Sequence, residues 1–261
     1  MKRREMWMPF VGLAALGQQE QRKDLVGYDD TPVIPGQKWK VHDAARPRVP
    51  VVTPGAKPGD PPSDAIVLFD GANLDQFRKP NWKVENGYAQ VVPESGDLIS
   101  KEKFGNAQYH LEWASPQRPD RRGQDRGNSG VILMGYYEIQ VLDSFNAPTY
   151  PDGQAASIYG QWPPIVNASR PMGEWQTYDI FFEAPVFDGA TLVRRPFVTV
   201  IHNGVLVHHH QEIVAPVAHR AVAKFTPHAA EESLVLQDHG EPVRYRNIWV
   251  RRILGYDTGK A

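Results

Sequence analysis

The chain of 261 residues contains no cysteine, which rules out disulfides, thiolate metal sites and cysteine nucleophiles but does not fix a compartment. It also lacks any apolar run approaching the roughly 18 residues that span a bilayer, so no membrane span is expected. No tract interleaves Lys and Arg with aromatics, and the formal net charge is −1 with a pI near 6.8. Nothing in that balance attracts a polyanion, and no nucleic-acid partner is expected. Helix-period apolar patterning is almost absent. So are a His-Glu-x-x-His pair, a phosphate-cradling Gly-x-x-x-x-Gly-Lys loop and a Gly-x-Ser-x-Gly elbow, which leaves zinc protease, nucleotide and serine hydrolase readings without support.

What is present begins with a basic start, Met1-Lys2-Arg3-Arg4, a short apolar run from Met6 to Leu16 and small residues at Ala15 and Gly17. This order predicts a signal peptide over residues 1–17 and a secreted or periplasmic protein. Residues 18–63 read as a Pro-rich arm, dense in proline from Thr31 to Pro62, with Trp39, Val41 and Val49 as apolar anchors. From residue 64 to 254, short apolar stretches alternate with turn residues about every ten positions, the pattern of one all-β antiparallel sandwich followed by a tail over 255–261. Val84 to Val92 turns at Asn86-Gly87, and Phe197 to His209 turns at Asn203-Gly204. Gln117 to Arg126 reads as a charged, mobile loop.

The hairpin over residues 127–143 carries most of the chemistry. Strand alternation sends Glu138 and Gln140 to one face and Ile139 and Val141 to the other. Asn128 and Ser129 open the preceding strand. Short amide, hydroxyl and carboxylate groups clustered this way suit sugar hydroxyls, which need several directional partners. A solvated polar face is the plainer alternative. A second cluster runs Leu236-Gln237-Asp238-His239-Gly240, then Arg244 and Arg246 on one strand face, read as the two ends of a hairpin. There an imidazole can act as general base and guanidiniums can hold an oxyanion. Tyr159, Glu174 and Trp175 add aromatics and a carboxylate in loop-rich sequence, either as sugar platforms or as packing. Three consecutive histidines, His208 to His210, point alternately in a regular strand and cannot all reach one ion.

Leu68-Phe69-Asp70-Gly71, Gly127-Asn128-Ser129-Gly130-Val131, Tyr137-Glu138-Ile139-Gln140-Val141-Leu142-Asp143, Ile158-Tyr159-Gly160, Gly173-Glu174-Trp175, His202-Asn203-Gly204 and Leu236-Gln237-Asp238-His239-Gly240 occur in order. Together they resemble the 3-keto-disaccharide hydrolase domain family over about residues 64–254. The resemblance implies a concanavalin A-like jelly-roll sandwich acting on glycosides oxidised to a ketone at sugar C3. Its implied chemistry is removal of the C2 proton and β-elimination of the aglycone. His239 and Glu138 would share the base and acid roles. Asn128, Ser129, Gln140, Tyr159, Glu174, Gln237, Arg244 and Arg246 would hold the substrate, and a divalent metal ion is an open alternative to the arginines. Two other functions remain open. A conventional retaining glycoside hydrolase would need a second carboxyl about 5 Å from the first, where this strand has Gln140. A non-catalytic carbohydrate-binding module would use the same cleft without a poised base.

Overall fold

A computed structural model describes residues 26–78 and 81–258. The expected signal peptide lies outside the described residues. The described residues divide into two units, one of residues 26–51 with 255–258 and one of residues 52–78 with 81–254. In the described part of the first, Tyr28 bridges Asp43 and Val33 bridges Lys40. Asp257 accepts from Trp39 Nε1 at 2.9 Å and pairs with Arg46 at 2.7 Å. The described residues 26–51 of the expected arm share this small unit with residues 255–258 of the tail, and the rest of the arm, 52–63, belongs to the second unit.

The second unit is built from β1 (Ile66–Phe69), β2 (Phe77–Arg78), β3 (Lys83–Glu85), β4 (Tyr88–Gln90), β5 (Leu98–Phe104), β6 (Ala107–Ala114), β7 (Ser129–Leu133), β8 (Tyr137–Val141), β9 (Gln176–Glu183), β10 (Val186–Asp188), β11 (Thr191–Arg194), β12 (Phe197–His202), β13 (Val205–Glu212), β14 (Glu232–Leu236) and β15 (Arg244–Arg252). An eight-stranded sheet runs β13-β12-β9-β6-β15-β4-β3, with β1 also on β15. A five-stranded sheet runs β2-β5-β14-β7-β8. All strand pairs are antiparallel. At both predicted Asn-Gly turns the two residues take positive φ, 48° and 77° at Asn86-Gly87 and 53° and 81° at Asn203-Gly204. That conformation matches the strand twist in a two-residue hairpin.

Alternation along each strand makes the sandwich. On β8, Tyr137, Ile139 and Val141 enter the core with Val131 and Leu133 of β7. Across from them, Tyr109, Leu111 and Trp113 of β6 and Tyr178, Ile180 and Phe182 of β9 supply the other layer. The sheets meet directly where Tyr245 of β15 donates its hydroxyl to Ser129 Oγ of β7 at 2.6 Å, inside the core.

Two sequence expectations change. β14 and β15 belong to different sheets, so residues 237–243 cross between layers and are not a hairpin turn. The charged segment 117–126 is tied down: it holds a short 3-10 turn, Gly123–Asp125, and Arg126 forms an ion pair with the buried Asp143. Among the three histidines, His208 is buried against the Ala156 carbonyl at 2.9 Å, whereas His210 meets Glu183 at 3.1 Å.

Candidate active site on the outer face of the five-stranded sheet

Because Tyr137 and Ile139 point into the core, Glu138 and Gln140 point to the other side of the small sheet. Residues directly opposite in antiparallel strands share a face, so the register lays out that surface. Arg78 lies opposite Ile99, Ile99 opposite Val235, Val235 opposite Ile132 and Ile132 opposite Glu138. The row continues past β8, where Tyr159 donates its backbone N–H to the Glu138 carbonyl at 3.1 Å and Ile158 bridges Ile139. A parallel row places Gly130 opposite Gln140, and Gln237 donates its backbone N–H to the Gly130 carbonyl at 3.0 Å.

Gly130 explains the Asn-Ser-Gly motif. A Cβ there would overlap the Glu138 carboxylate, with Glu138 Cδ at 2.9 Å; the glycine is the space in which the acid lies. Glu138 is only 5% exposed. Burial above all, and then the negative charge of Asp97, lift its pKa from 4.5 to about 8. A buried carboxyl escapes part of the desolvation penalty by keeping its proton.

Its neighbours are amides. One end of the Gln140 amide lies 3.0 Å from Gln124 Oε1 and 3.3 Å from Asn128 Oδ1, the other 3.0 Å from both Glu138 Oε1 and the Ser129 carbonyl, and Asn128 Nδ2 donates to Gln124 Oε1 at 3.3 Å. Gln237 Oε1 is buried without a hydrogen-bond partner among the described residues. The Tyr159 hydroxyl lies 3.1 Å from that of Tyr150 and 3.0 Å from His219 Nδ1. It lines a cavity of about 460 Å³ with Tyr150, Asp152 and His219.

Other predicted site residues are elsewhere. Ser129 faces the core, its hydroxyl committed to Gln237 O at 2.6 Å while accepting from Tyr245. Arg244 and Arg246 alternate with the core residue Tyr245, so they lie on the outer face of the large sheet, and the sandwich core separates them from Glu138. There both guanidiniums pack over Trp175, at 5.4 and 4.1 Å from its centroid, and Arg246 pairs with Glu112 at 2.7 Å. Glu174 is an exposed residue beside Trp175. The sheet crossover at 237–243 accounts for this division. His239 is exposed within that crossover, two residues beyond Gln237. Its turn is latched by Asp238, which accepts from Gly96 N at 3.0 Å and whose own N–H reaches Asp97 Oδ1 at 2.9 Å.

The family described as the 3-keto-alpha-glucoside-1,2-lyase-like domain matches residues 64–251. The chain belongs to this family. Among its relatives, a 3-keto-disaccharide hydrolase of Bacteroides thetaiotaomicron is 24% identical over 228 residues, covering 71% of this chain and 77% of that protein. A crystal structure of a Parabacteroides distasonis protein, provisionally assigned as a glycosyl hydrolase, is 40% identical with a TM-score of 0.77 over 85% of this chain and 100% of its own. A second protein of that organism with the same provisional assignment shares the fold at 18% identity, TM-score 0.53, over 73% and 94% of the two chains.

Within the family match, two residues of the site escaped sequence reasoning. Asp97 precedes β5 with no motif around it, and Gln124 sits in a run of charged residues that masks it. The signal for Gln124 was indirect: Arg126 and Asp143 are opposite charges flanking the hairpin, and their pairing brings the 3-10 turn onto Gln140. That pairing also settles the role of Asp143. Its side chain is 2% exposed and held by Arg126, so it is not a second free carboxyl beside Glu138. Among the described residues no group of three or more His, Asp or Glu side chains is placed to hold a metal ion.

Proposed function

We propose that the protein cleaves glycosides carrying a ketone at sugar C3, by proton abstraction at C2 followed by β-elimination of the aglycone. The observation that carries this reading is Glu138: a buried, proton-retaining carboxyl at the wall of a face lined with amides and tyrosines, in a family whose characterised relative is named for 3-keto-disaccharides. A C3 ketone acidifies the C2 proton. His239, on the exposed turn beyond Gln237, takes that proton, and the C2–H electron pair becomes the C2=C3 bond of an enolate with its charge on O3. When the C3 carbonyl re-forms, the C1–O1 bond breaks and C1=C2 forms. The departing oxygen takes the proton of Glu138, and the alcohol leaves. Water then adds across the double bond to complete a net hydrolysis. A positioned acid or base contributes about 10²- to 10⁴-fold to such steps.

Gln237, whose side-chain oxygen lacks a partner, together with Asn128, Gln140 and Tyr159, suits the hydroxyl pattern of the sugar. Arg244, Arg246 and Glu174 have no part in this mechanism, because the core lies between them and Glu138. The conventional retaining route is disfavoured by the same geometry, since Gln140 stands where the partner carboxyl is needed and Asp143 is tied to Arg126. The predicted N-terminal signal suits a secreted or periplasmic enzyme. The test is a comparison of a 3-keto-glucoside with its unoxidised parent. Cleavage of the keto compound alone is expected. Cleavage of the parent would point to a conventional hydrolase, and binding without cleavage of either to a carbohydrate-binding module.

A further inference from the structure

Past β8 the row that carries Glu138 ends on Tyr159, whose backbone N–H meets the Glu138 carbonyl at 3.1 Å, so the two side chains leave one face about 4.8 Å apart. Asn128 and Gln237 lie on the opposite flank: Asn128 precedes β7, and Gln237, beyond the end of β14, donates its backbone N–H to the Gly130 carbonyl of β7. Glu138 therefore stands between an amide flank and Tyr159. Tyr159 opens a cavity of about 460 Å³ that Tyr150, Ala218, Ala221 and Val222 also line. Both walls are pinned. Gly153 is the space in which the Tyr150 ring lies, since a Cβ there would overlap it, and Gly160 donates its N–H to the Asp152 carbonyl at 2.9 Å. Opposite, Gln161 Oε1 accepts from the Val214 and Ala215 N–H groups at 2.9 and 3.2 Å, its Nε2 donates to the Ala215 carbonyl at 2.9 Å, and the Val217 N–H reaches the Tyr136 carbonyl at 2.7 Å. The segment leading into residues 218–222 is thus held in place.

The two flanks differ in chemistry. Amides suit the hydroxyls of a sugar, and no amide side chain lines the cavity. Its two tyrosine hydroxyls are engaged with each other at 3.1 Å and with His219 Nδ1 at 3.0 Å, which leaves ring faces and methyl groups to an occupant. Val222 is 82% exposed, an apolar side chain that serves no core. Such a surface favours a flat apolar ring. Asp152 and Arg220 carry the remaining charge of the lining and suit a hydroxyl borne on such a ring. For Glu138 to reach the glycosidic oxygen, the two halves of the substrate must lie on either side of it. The half that loses its C2 proton belongs with Gln237 and, two residues on, His239. We propose that the cavity between Tyr150 and Tyr159 is the aglycone subsite and that it takes an aromatic aglycone. This deepens the reading of Glu138 as the acid that serves the departing oxygen, and rests on it.

Benzyl and methyl 3-keto-glucosides release alcohols of nearly equal acidity, so the ratio of their kcat/KM values reads what the aglycone gains by binding. Wild type should prefer the benzyl compound about ten-fold. Tyr150→Ala removes one wall, and Val222→Asp places a charge on another at a position exposed enough to spare the fold; each should cut that preference about five-fold. A fall in either variant supports the proposal. No benzyl preference in wild type, or a ratio unchanged in both variants, would overturn it. So would a 3-keto-disaccharide whose ratio to the methyl compound falls while the benzyl ratio holds, because the cavity would then take a sugar. If wild type cleaves none of these compounds, saturation-transfer NMR on benzyl 3-keto-glucoside decides the cavity by itself. Saturation of the benzyl protons that is lost in the variants would uphold the subsite and refute the proposed reaction, whereas saturation absent from wild type or kept in both variants would overturn the two together.

Discussion

Replacing Glu138 by glutamine should make the protein more stable, and increasingly so as pH rises. In the folded state the Glu138 pKa is about 8 against 4.5 for the unperturbed group. Below pH 4.5 both folded and unfolded chains carry the proton and the group contributes its full stability. Between pH 4.5 and 8 the unfolded chain gives up the proton and the folded chain keeps it, so stability falls at up to about 1.4 kcal/mol per pH unit. Above pH 8 both are ionised and the loss levels off. The difference between the two pKa values converts to roughly 5 kcal/mol as an upper bound, and because the side chain is nearly buried, solvent screening removes little of it. Glutamine carries no titrating proton and keeps an amide beside Gln140. Urea denaturation of wild type and Glu138→Gln at intervals from about pH 5 to about pH 9 should show a gap widening by about 2 to 5 kcal/mol toward high pH. A gap that stays constant with pH, or narrows, would refute the assignment of a raised pKa to Glu138.

Gly130→Ala should push the Glu138 carboxylate out of its place, costing about 1–3 kcal/mol in thermal stability and most of the activity. Gly130 is the one glycine of the Asn-Ser-Gly motif whose added methyl meets the acid. Arg126→Met should cost about 3–5 kcal/mol, since it strands the buried Asp143 charge, and a drop in melting temperature at neutral pH measures it. Arg244→Ala and Arg246→Ala, on the far face of the sandwich, should leave kcat/KM within about three-fold of wild type; a loss comparable to that of Glu138→Gln would contradict the placement of the site.

Strand alternation was readable because Tyr137, Ile139 and Val141 leave Glu138 and Gln140 no other face, and the Asn-Gly turns were readable because positive φ at both positions is chemically rare. The separation of His239 from Arg244 was not readable. Gly240-Glu241-Pro242 looks like any hairpin turn, and whether a short polar connection returns to its own sheet or crosses to the other depends on which distant strands are already paired. Leu236 lies opposite Val131 and Leu98, while Arg244 lies opposite Ala114 and Gln90; no local signal encodes those partners. Ser129 was misplaced for a simpler reason. It is two residues from Val131, so alternation already put it on the core side, and its polarity drew attention away from its parity. Gln124 was hidden because its role depends on an ion pair between Arg126 and Asp143 that closes only in the folded chain.

The central claim is that the bond-breaking sequence begins with loss of the C2 proton of a 3-keto sugar. A 3-keto-glucoside deuterated at C2 tests it most directly, by competition against the undeuterated compound under kcat/KM conditions. The account predicts a normal primary isotope effect, with solvent hydrogen at C2 of the hydrated product. Cleavage with no isotope effect and with the original deuterium retained at C2 would contradict it, because the aglycone would then leave without any enolate having formed.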